Sequence, residues 1–394
     1  MECKMIIRSI KATPVNIPFA APYKFSYGTL ASVTKTIIEL VTEDGVIGLG
    51  ECADGDRAAD VEAMGSLLVG RDATLFGNAR RRCLAGMAYS PWSNALAARR
   101  AYAGIEMAMW DARGKTENVP LWHMLGGKCR DEIPLTEYFS FRNPGPNHPG
   151  ESTPVEIARF CGEMIEKHDS KIFEGKLATV DLSTEIKMVR EVRAAIGNRE
   201  LRLDANGAWT LPTARRAIRA LEPHDVSWYE EPVESYEEMA ALRSVTSAGI
   251  SSHQVNLRRA AELGAPDAIV TNVNELGGIA GAVEFIKSCE LLDVGFRFHS
   301  GESGVASAVY LHLSATLEHV RDASQTLFRW YADDVIEGGP FSPVSGCVRI
   351  PEGSGIGATL DPRAFERCHQ RYRDEGPFPS GQLGGGYGDS FQKT

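Results

Sequence analysis

KIFEGK (171–176), LRLD (201–204), VSWYE (226–230), ISSH (250–253), AIVTN (268–272) and VGFRFH (294–299) are short apolar runs, each ending on a residue able to do chemistry. Their chemical ends all fall in the stretch from Phe173 to Ser300. Their last residues, Lys176, Asp204, Glu230, His253, Asn272 and His299, follow one another at steps of 28, 26, 23, 19 and 27 residues. A strand, a helix and their loops in an α/β barrel take about 30 residues. The pattern therefore predicts six consecutive strands, each delivering one polar group at its C-terminal end. In a closed parallel barrel those ends converge on one mouth, where such barrels keep their active sites.

Outward from this ladder, VEIARFCGEMIEKH (155–168) reads as a helix, Ile133–Phe141 as the first barrel strand and Leu327–Tyr331 as an eighth. Upstream, residues 4–18 alternate as a strand and PYKFSYGTLA (22–31) reads as a loop. TKTIIELVTEDGVIGLGEC follows as a hairpin turning at Glu43-Asp44-Gly45. A second loop spans 53–60, and from Asp60 to Thr116 the pattern is helical, with Tyr102, Ile105, Met109 and Ala112 on one face. Strands followed by helices make a small α+β domain. Three parts result: residues 1–128, that domain; 129–335, the barrel; and 336–394, a segment whose short strand and closing helix return to the first domain. Its Gly-rich end, 381–394, is expected to be loose.

At 394 residues the chain has the length for a barrel plus a smaller domain. The net charge of −10 argues against nucleic acid or an anionic membrane as partner. No apolar run approaches the roughly 18 residues of a membrane span. The N-terminus lacks a secretory core, so a cytoplasmic protein is expected. The eight cysteines are scattered without a CxxC and are expected to be reduced.

Asp204 and Glu230 stand at adjacent predicted strand ends, with His253 one strand further on. Hard divalent cations take oxygen ligands, whereas imidazole suits softer metals. The plainer alternatives are that the carboxylates cap helices or pair with arginine, and that His253 is a substrate contact. Lys176 shares a strand face with Glu174, since residues i and i+2 point the same way, and His299 lies on the far side. Bases flanking a metal suit removal of the proton next to a carboxylate, through an enediolate.

The chain resembles the enolase superfamily, in its mandelate racemase and glucarate dehydratase branch. The resemblance runs through TKTIIELVTEDGVIGLGE, IEMAMWDARGK, LWHMLGG, LDANGAW, WYEEP, NELGG and FHSGESG. It implies an α/β fold: a modified (β/α)7β TIM-type barrel with an α+β capping domain built from the N-terminal region and the C-terminal tail. It also implies a homo-oligomer, a small-molecule carboxylate substrate, and one divalent cation, Mg2+, on Asp204, Glu230 and His253. Lys176 and His299 match bases on opposite faces of the substrate, and Asn206 a substrate contact. The loops at 22–31 and 53–60 match those that close over the mouth.

Three departures from the family pattern touch this set. Its Lys-x-Lys has become Glu174-Gly175-Lys176, and a neighbouring carboxylate should keep Lys176 protonated, which makes Glu174 itself a candidate proton carrier. The aspartate of the His-Asp dyad has become Asn272, whose amide oxygen can still orient the His299 imidazole but brings no charge. His253 replaces a carboxylate, which weakens the hold on Mg2+ and admits a softer metal. Tyr138, Glu302 and Lys24 are further candidates for substrate contact, as are Arg142 and Arg57. The favoured function is an acid-sugar (aldonate or aldarate) dehydratase yielding a 2-keto-3-deoxy acid. A racemase or epimerase, and a carboxylate-binding protein that has lost catalysis, are the alternatives.

Overall fold

The structure, a computed structural model, describes residues 4–26, 28–85, 95–146, 148–299 and 301–378. The chain begins with a three-stranded antiparallel sheet of β1 (Ile7–Phe25), β2 (Gly28–Thr42) and β3 (Ile47–Cys52). Of the segment 22–31, expected as a loop, residues 23–25 and 28–30 instead continue this sheet: Tyr23 pairs with Leu30 and Phe25 with Gly28. Aromatic residues alternating with polar ones satisfy a two-sided strand, and Tyr23 and Phe25 turn inward together.

Helices α1 (Ala58–Ser66), α2 (Phe76–Leu84) and α3 (Ala95–Glu117) cover one face of the sheet. Glycine permits the close approach of α3 and β3. A Cβ on Gly50 would come within 2.0 Å of the Gly104 carbonyl oxygen. Met5, Ile38, Leu40, Tyr102, Ile105 and Met109 fill the small core between these layers.

After α4 (Leu121–Met124), the expected first barrel strand is two strands. β4 (Glu132–Pro134) pairs antiparallel with β12 (Cys347–Arg349), and β5 (Glu137–Phe139) enters the barrel. Pro134 interrupts the run, because it has no N–H for a ladder. The ladder then continues with α5 (Pro154–His168), β6 (Ile172–Lys176), α6 (Leu182–Ile196), β7 (Glu200–Asp204) and α7 (Leu211–Leu221). β8 (Trp228–Glu230), α8 (Tyr236–Leu242), β9 (Gly249–Ser252), α9 (Leu257–Leu263), β10 (Ala268–Thr271), α10 (Ile279–Leu291), β11 (Gly295–Phe298) and α11 (Gly304–Thr316) complete it. The seven parallel strands lie in the order β5 to β11.

Leu327–Tyr331 is not the eighth strand. The circle is closed just upstream, by an irregular stave: Gln325 N–H donates to Phe298 O, and Ser324 exchanges backbone hydrogen bonds with Pro134 and Thr136. The last helix, α12 (Pro362–Glu375), lies against β1, where Asn16 donates to Gly376 O at 2.9 Å and His369 Nδ1 meets Pro14 O at 2.7 Å. The Gly-rich 381–394 lies outside the described residues. Cysteines 52, 83, 129, 161, 289, 347 and 368 are free thiols.

Candidate active site

Lys176, Asp204 and Glu230 are the last residues of β6, β7 and β8, while His253, Asn272 and His299 directly follow β9, β10 and β11. Parallel register sets Lys176 opposite Asp204 and Asp204 opposite Glu230. All six therefore emerge at one rim. Above them is a cavity of about 440 Å³, lined on the barrel side by Lys176, Asn206, His253, Asn272 and His299. Tyr23, Phe25, Leu30 and Val33 of the N-terminal sheet form its roof.

Asp204 is fully buried and both its oxygens are held: Oδ1 accepts from Asn206 N–H at 2.7 Å, Oδ2 from Asn206 Nδ2 at 2.9 Å and from the Lys176 ammonium. Burial opposes charge on Lys176, but Asp204 and Glu230 outweigh it and hold the amine protonated. His253 Nδ1 lies 2.8 Å from Val270 O; a carbonyl only accepts, so Nδ1 carries hydrogen and Nε2 is left facing Glu230 Oε1 at 3.0 Å. Burial would lower the His253 pKa, yet Glu230 and Glu231 raise it to about 10. Conversely, burial disfavours the Glu230 carboxylate but the adjoining His253 holds it far below the usual range.

One ligand atom from each of Asp204, Glu230 and His253 lies within 4.8 Å of the others. Glu230 Oε1 faces His253 Nε2 at 3.0 Å, and its twin Oε2 receives Gln325 Nε2 at 2.7 Å. A buried carboxylate is costly unless a cation or donor meets it. With His253 Nε2 already turned toward it, the set fits one divalent ion bound by two carboxylates and one imidazole. Binding would displace the Nε2 proton.

His299 meets His253 edge to face, with ring centroids 4.7 Å apart, and has no side-chain hydrogen bond among the described residues. Burial, then the charges on His253 and Lys176, lower its pKa, so it is neutral. Asn272 does not orient it, contrary to expectation: Asn272 Oδ1 accepts from Glu275 N–H at 2.9 Å, closing the turn before α10. Glu174 is below the cavity rather than in its lining. There its Oε1 accepts from Gln325 Nε2 at 2.5 Å and Tyr138 OH at 3.2 Å, and burial beside Glu230 pushes it to about 7.

Tyr138 and Glu302 do line the cavity. Lys24 does not, because strand alternation sends it to the face opposite Tyr23 and Phe25. Arg142 is locked in a bidentate pair with Glu151, at 2.6 and 2.8 Å, and Arg57 pairs with Asp54. Sequence reasoning missed Lys35, Asp54, Arg100, Glu231 and Glu275, which line the cavity, and Gln325, which ties Glu174 to Glu230 beneath it. The polar triplet Ser324-Gln325-Thr326, directly before Leu327-Phe328, was the available signal for Gln325. Among the described residues no helix is long and apolar enough to cross a membrane.

Comparison with known proteins agrees with this fold. The chain is 28% identical over 349 residues to D-galactonate dehydratase of Ralstonia nicotianae, covering 82% of this chain and 88% of that one. It is 26% identical over 390 residues to N-succinyl-L-Arg/Lys racemase of Bacillus cereus, covering 91% and 96%. An enolase of Pseudomonas fluorescens, solved with bound magnesium, potassium and tartrate, superposes with a TM-score of 0.85 at 27% identity, covering 95% of this chain and 94% of that one. Residues 7–126 match the mandelate racemase / muconate lactonizing enzyme N-terminal domain, and residues 156–364 the enolase C-terminal domain-like family. With both domains matched in order, the chain belongs to the enolase superfamily, in its mandelate racemase and glucarate dehydratase-like branch.

Proposed function

We propose that the protein is a Mg2+-dependent hydro-lyase that converts an acid sugar to a 2-keto-3-deoxy acid. The observation that carries this reading is the meeting of Asp204, Glu230 and His253 at one rim, with Lys176 and His299 facing the same cavity. Bound there, the cation would offset negative charge that develops on the substrate carboxylate.

The two flanking groups differ in state. His299 is neutral and free of side-chain hydrogen bonds among the described residues, so it can accept the proton α to the carboxylate. Lys176 is an ammonium committed to Asp204, so it is a donor. It supplies the proton with which the β-hydroxyl leaves as water, and the resulting enol becomes the keto acid. Asn206 fixes Asp204 and presents its own Oδ1, buried and without a partner, beside the cavity.

Racemisation needs two bases, and a lysine held as an ammonium is a poor second one. The relative that is a racemase keeps this reaction as the alternative. Incubation with Mg2+ and a panel of acid sugars, assayed for keto product, separates the readings. Keto product is expected. Cα exchange with solvent and no keto product would establish the racemase, and binding without either would establish a carboxylate-binding protein.

A further inference from the structure

Most charges around the cavity are answered by other charges. Lys176 has Asp204, His253 has Glu230, and at the rim Arg100 pairs with both Asp54 and Glu275. Two groups are not. Lys35, on β2, is 4% exposed and lines the cavity; it donates one hydrogen bond, to Ala53 O at 2.7 Å. Among the described residues no carboxylate oxygen comes within 4.0 Å of its ammonium. Glu302, in the loop before α11, is also 4% exposed and lines the cavity, with Oε2 buried and unpartnered.

A buried ammonium with unused N–H groups and no counter-charge is costly in the free protein, and an anion entering the cavity relieves that cost. Lys35 acts electrostatically on Glu302 and on His299, so it faces the His299 side of the cavity. Burial pushes Glu302 up to about 8, which leaves its carboxyl protonated and able to donate near neutral pH. Two donors, one of them charged, facing one cavity ask for an acceptor that bears negative charge. A hydroxyl would leave the ammonium without a counter-charge, whereas a carboxylate supplies one and accepts from both.

We propose that Lys35 and Glu302 form a second carboxylate subsite, so that the substrate is a dicarboxylic acid sugar, an aldarate, rather than the monocarboxylic aldonate. The inference rests on the reading above, in which the triad end of the cavity takes the first carboxylate. The subsite joins the N-terminal domain to the barrel, with Lys35 from one and Glu302 from the other.

Calorimetric titration of the Mg2+-loaded protein with hexarates and with hexonates of matched configuration tests this. The best hexarate is expected to bind about tenfold or more tightly than its matched hexonate. Lys35→Met should bring hexarate affinity down to the hexonate level. Glu302→Gln, which keeps an N–H donor, should retain the preference that Glu302→Met loses. Equal affinity for the two classes in the wild type, or no binding of any hexarate, overturns the subsite whatever the variants do. Keto product from hexonates with no hexarate preference sinks the subsite and leaves the dehydratase standing. A Lys35-dependent hexarate preference without keto product supports the subsite and sinks the dehydratase.

Discussion

Glu302 shows how burial, more than any single neighbour, sets the state of a site residue. Its neighbours that titrate or carry charge are Lys35 on β2, Glu51 on β3, Glu275 after β10, Tyr310 on α11 and Tyr331. Burial, which outweighs Lys35, moves its pKa from 4.5 to about 8. Between those values the native protein holds a proton that the unfolded chain has released. Stability therefore falls as pH rises through this window, and the loss is complete above about 8. Glu302→Gln removes that slope. From about pH 5 to about pH 9 the variant should gain on the wild type by a few degrees of melting temperature, measured by calorimetry. A constant difference between the two would show that Glu302 does not titrate in this window. Such states are hard to read from residue order. Glu302 was legible as a polar residue near a strand end, but not as a protonated one, because its burial comes from β2, β3 and α11 together. Likewise alternation on β1, not proximity in sequence, excludes Lys24 from the cavity, and the equivalent rule on β2 admits Lys35 beside Val33.

The N-terminal domain is fastened to the barrel by carboxylates at helix starts. Glu106, buried on α3, accepts Ile279 N–H at 2.6 Å, Ala280 N–H at 3.1 Å and Trp110 Nε1–H at 2.9 Å. It thus caps α10 from outside the barrel. Glu51 on β3 does the same for α11, accepting Ser303 N–H at 2.9 Å and Ala306 N–H at 2.9 Å. A negative group at a helix N-terminus meets unpaired N–H groups and the positive end of the helix dipole. Glu106→Ala leaves those donors buried and unmet, and should lower unfolding free energy by roughly 1.5–3 kcal/mol, measured by denaturant titration. Glu106→Gln, which keeps an acceptor oxygen, should cost less; equal losses would mean that packing rather than the cap matters. The strands of the barrel were legible because each apolar run stops at a polar rim residue. The closing stave was not, since Ser324, Gln325 and Thr326 are polar and make only scattered backbone bonds. Glu106 and Glu51 lie within motifs that the sequence displays, yet their targets are 173 and 252 residues away, and nothing local predicts that contact.

At the scale of the molecule, the cavity is a joint product of both domains. The barrel supplies the groups proposed to act on the substrate, and the N-terminal sheet supplies a roof of Tyr23, Phe25, Leu30 and Val33. The Asp54–Arg100–Glu275 cluster ties the two across the rim. An apolar roof lowers the local dielectric, so each charge beneath it acts more strongly than it would in solution. In the proposed reaction three of the six rim groups, Asp204, Glu230 and His253, hold a cation that makes a carbon acid easier to ionise. Solvent exchange at Cα reports on that step directly. With Mg2+ and a recognised acid sugar in D2O, followed by NMR, the wild-type protein should place deuterium at Cα or release keto product. Chelation of the metal should abolish both, and His299→Asn should slow them about 10²–10⁴-fold. Exchange that persists undiminished after chelation, or in His299→Asn, would contradict the assignment of Asp204, Glu230 and His253 as the metal site and of His299 as the base.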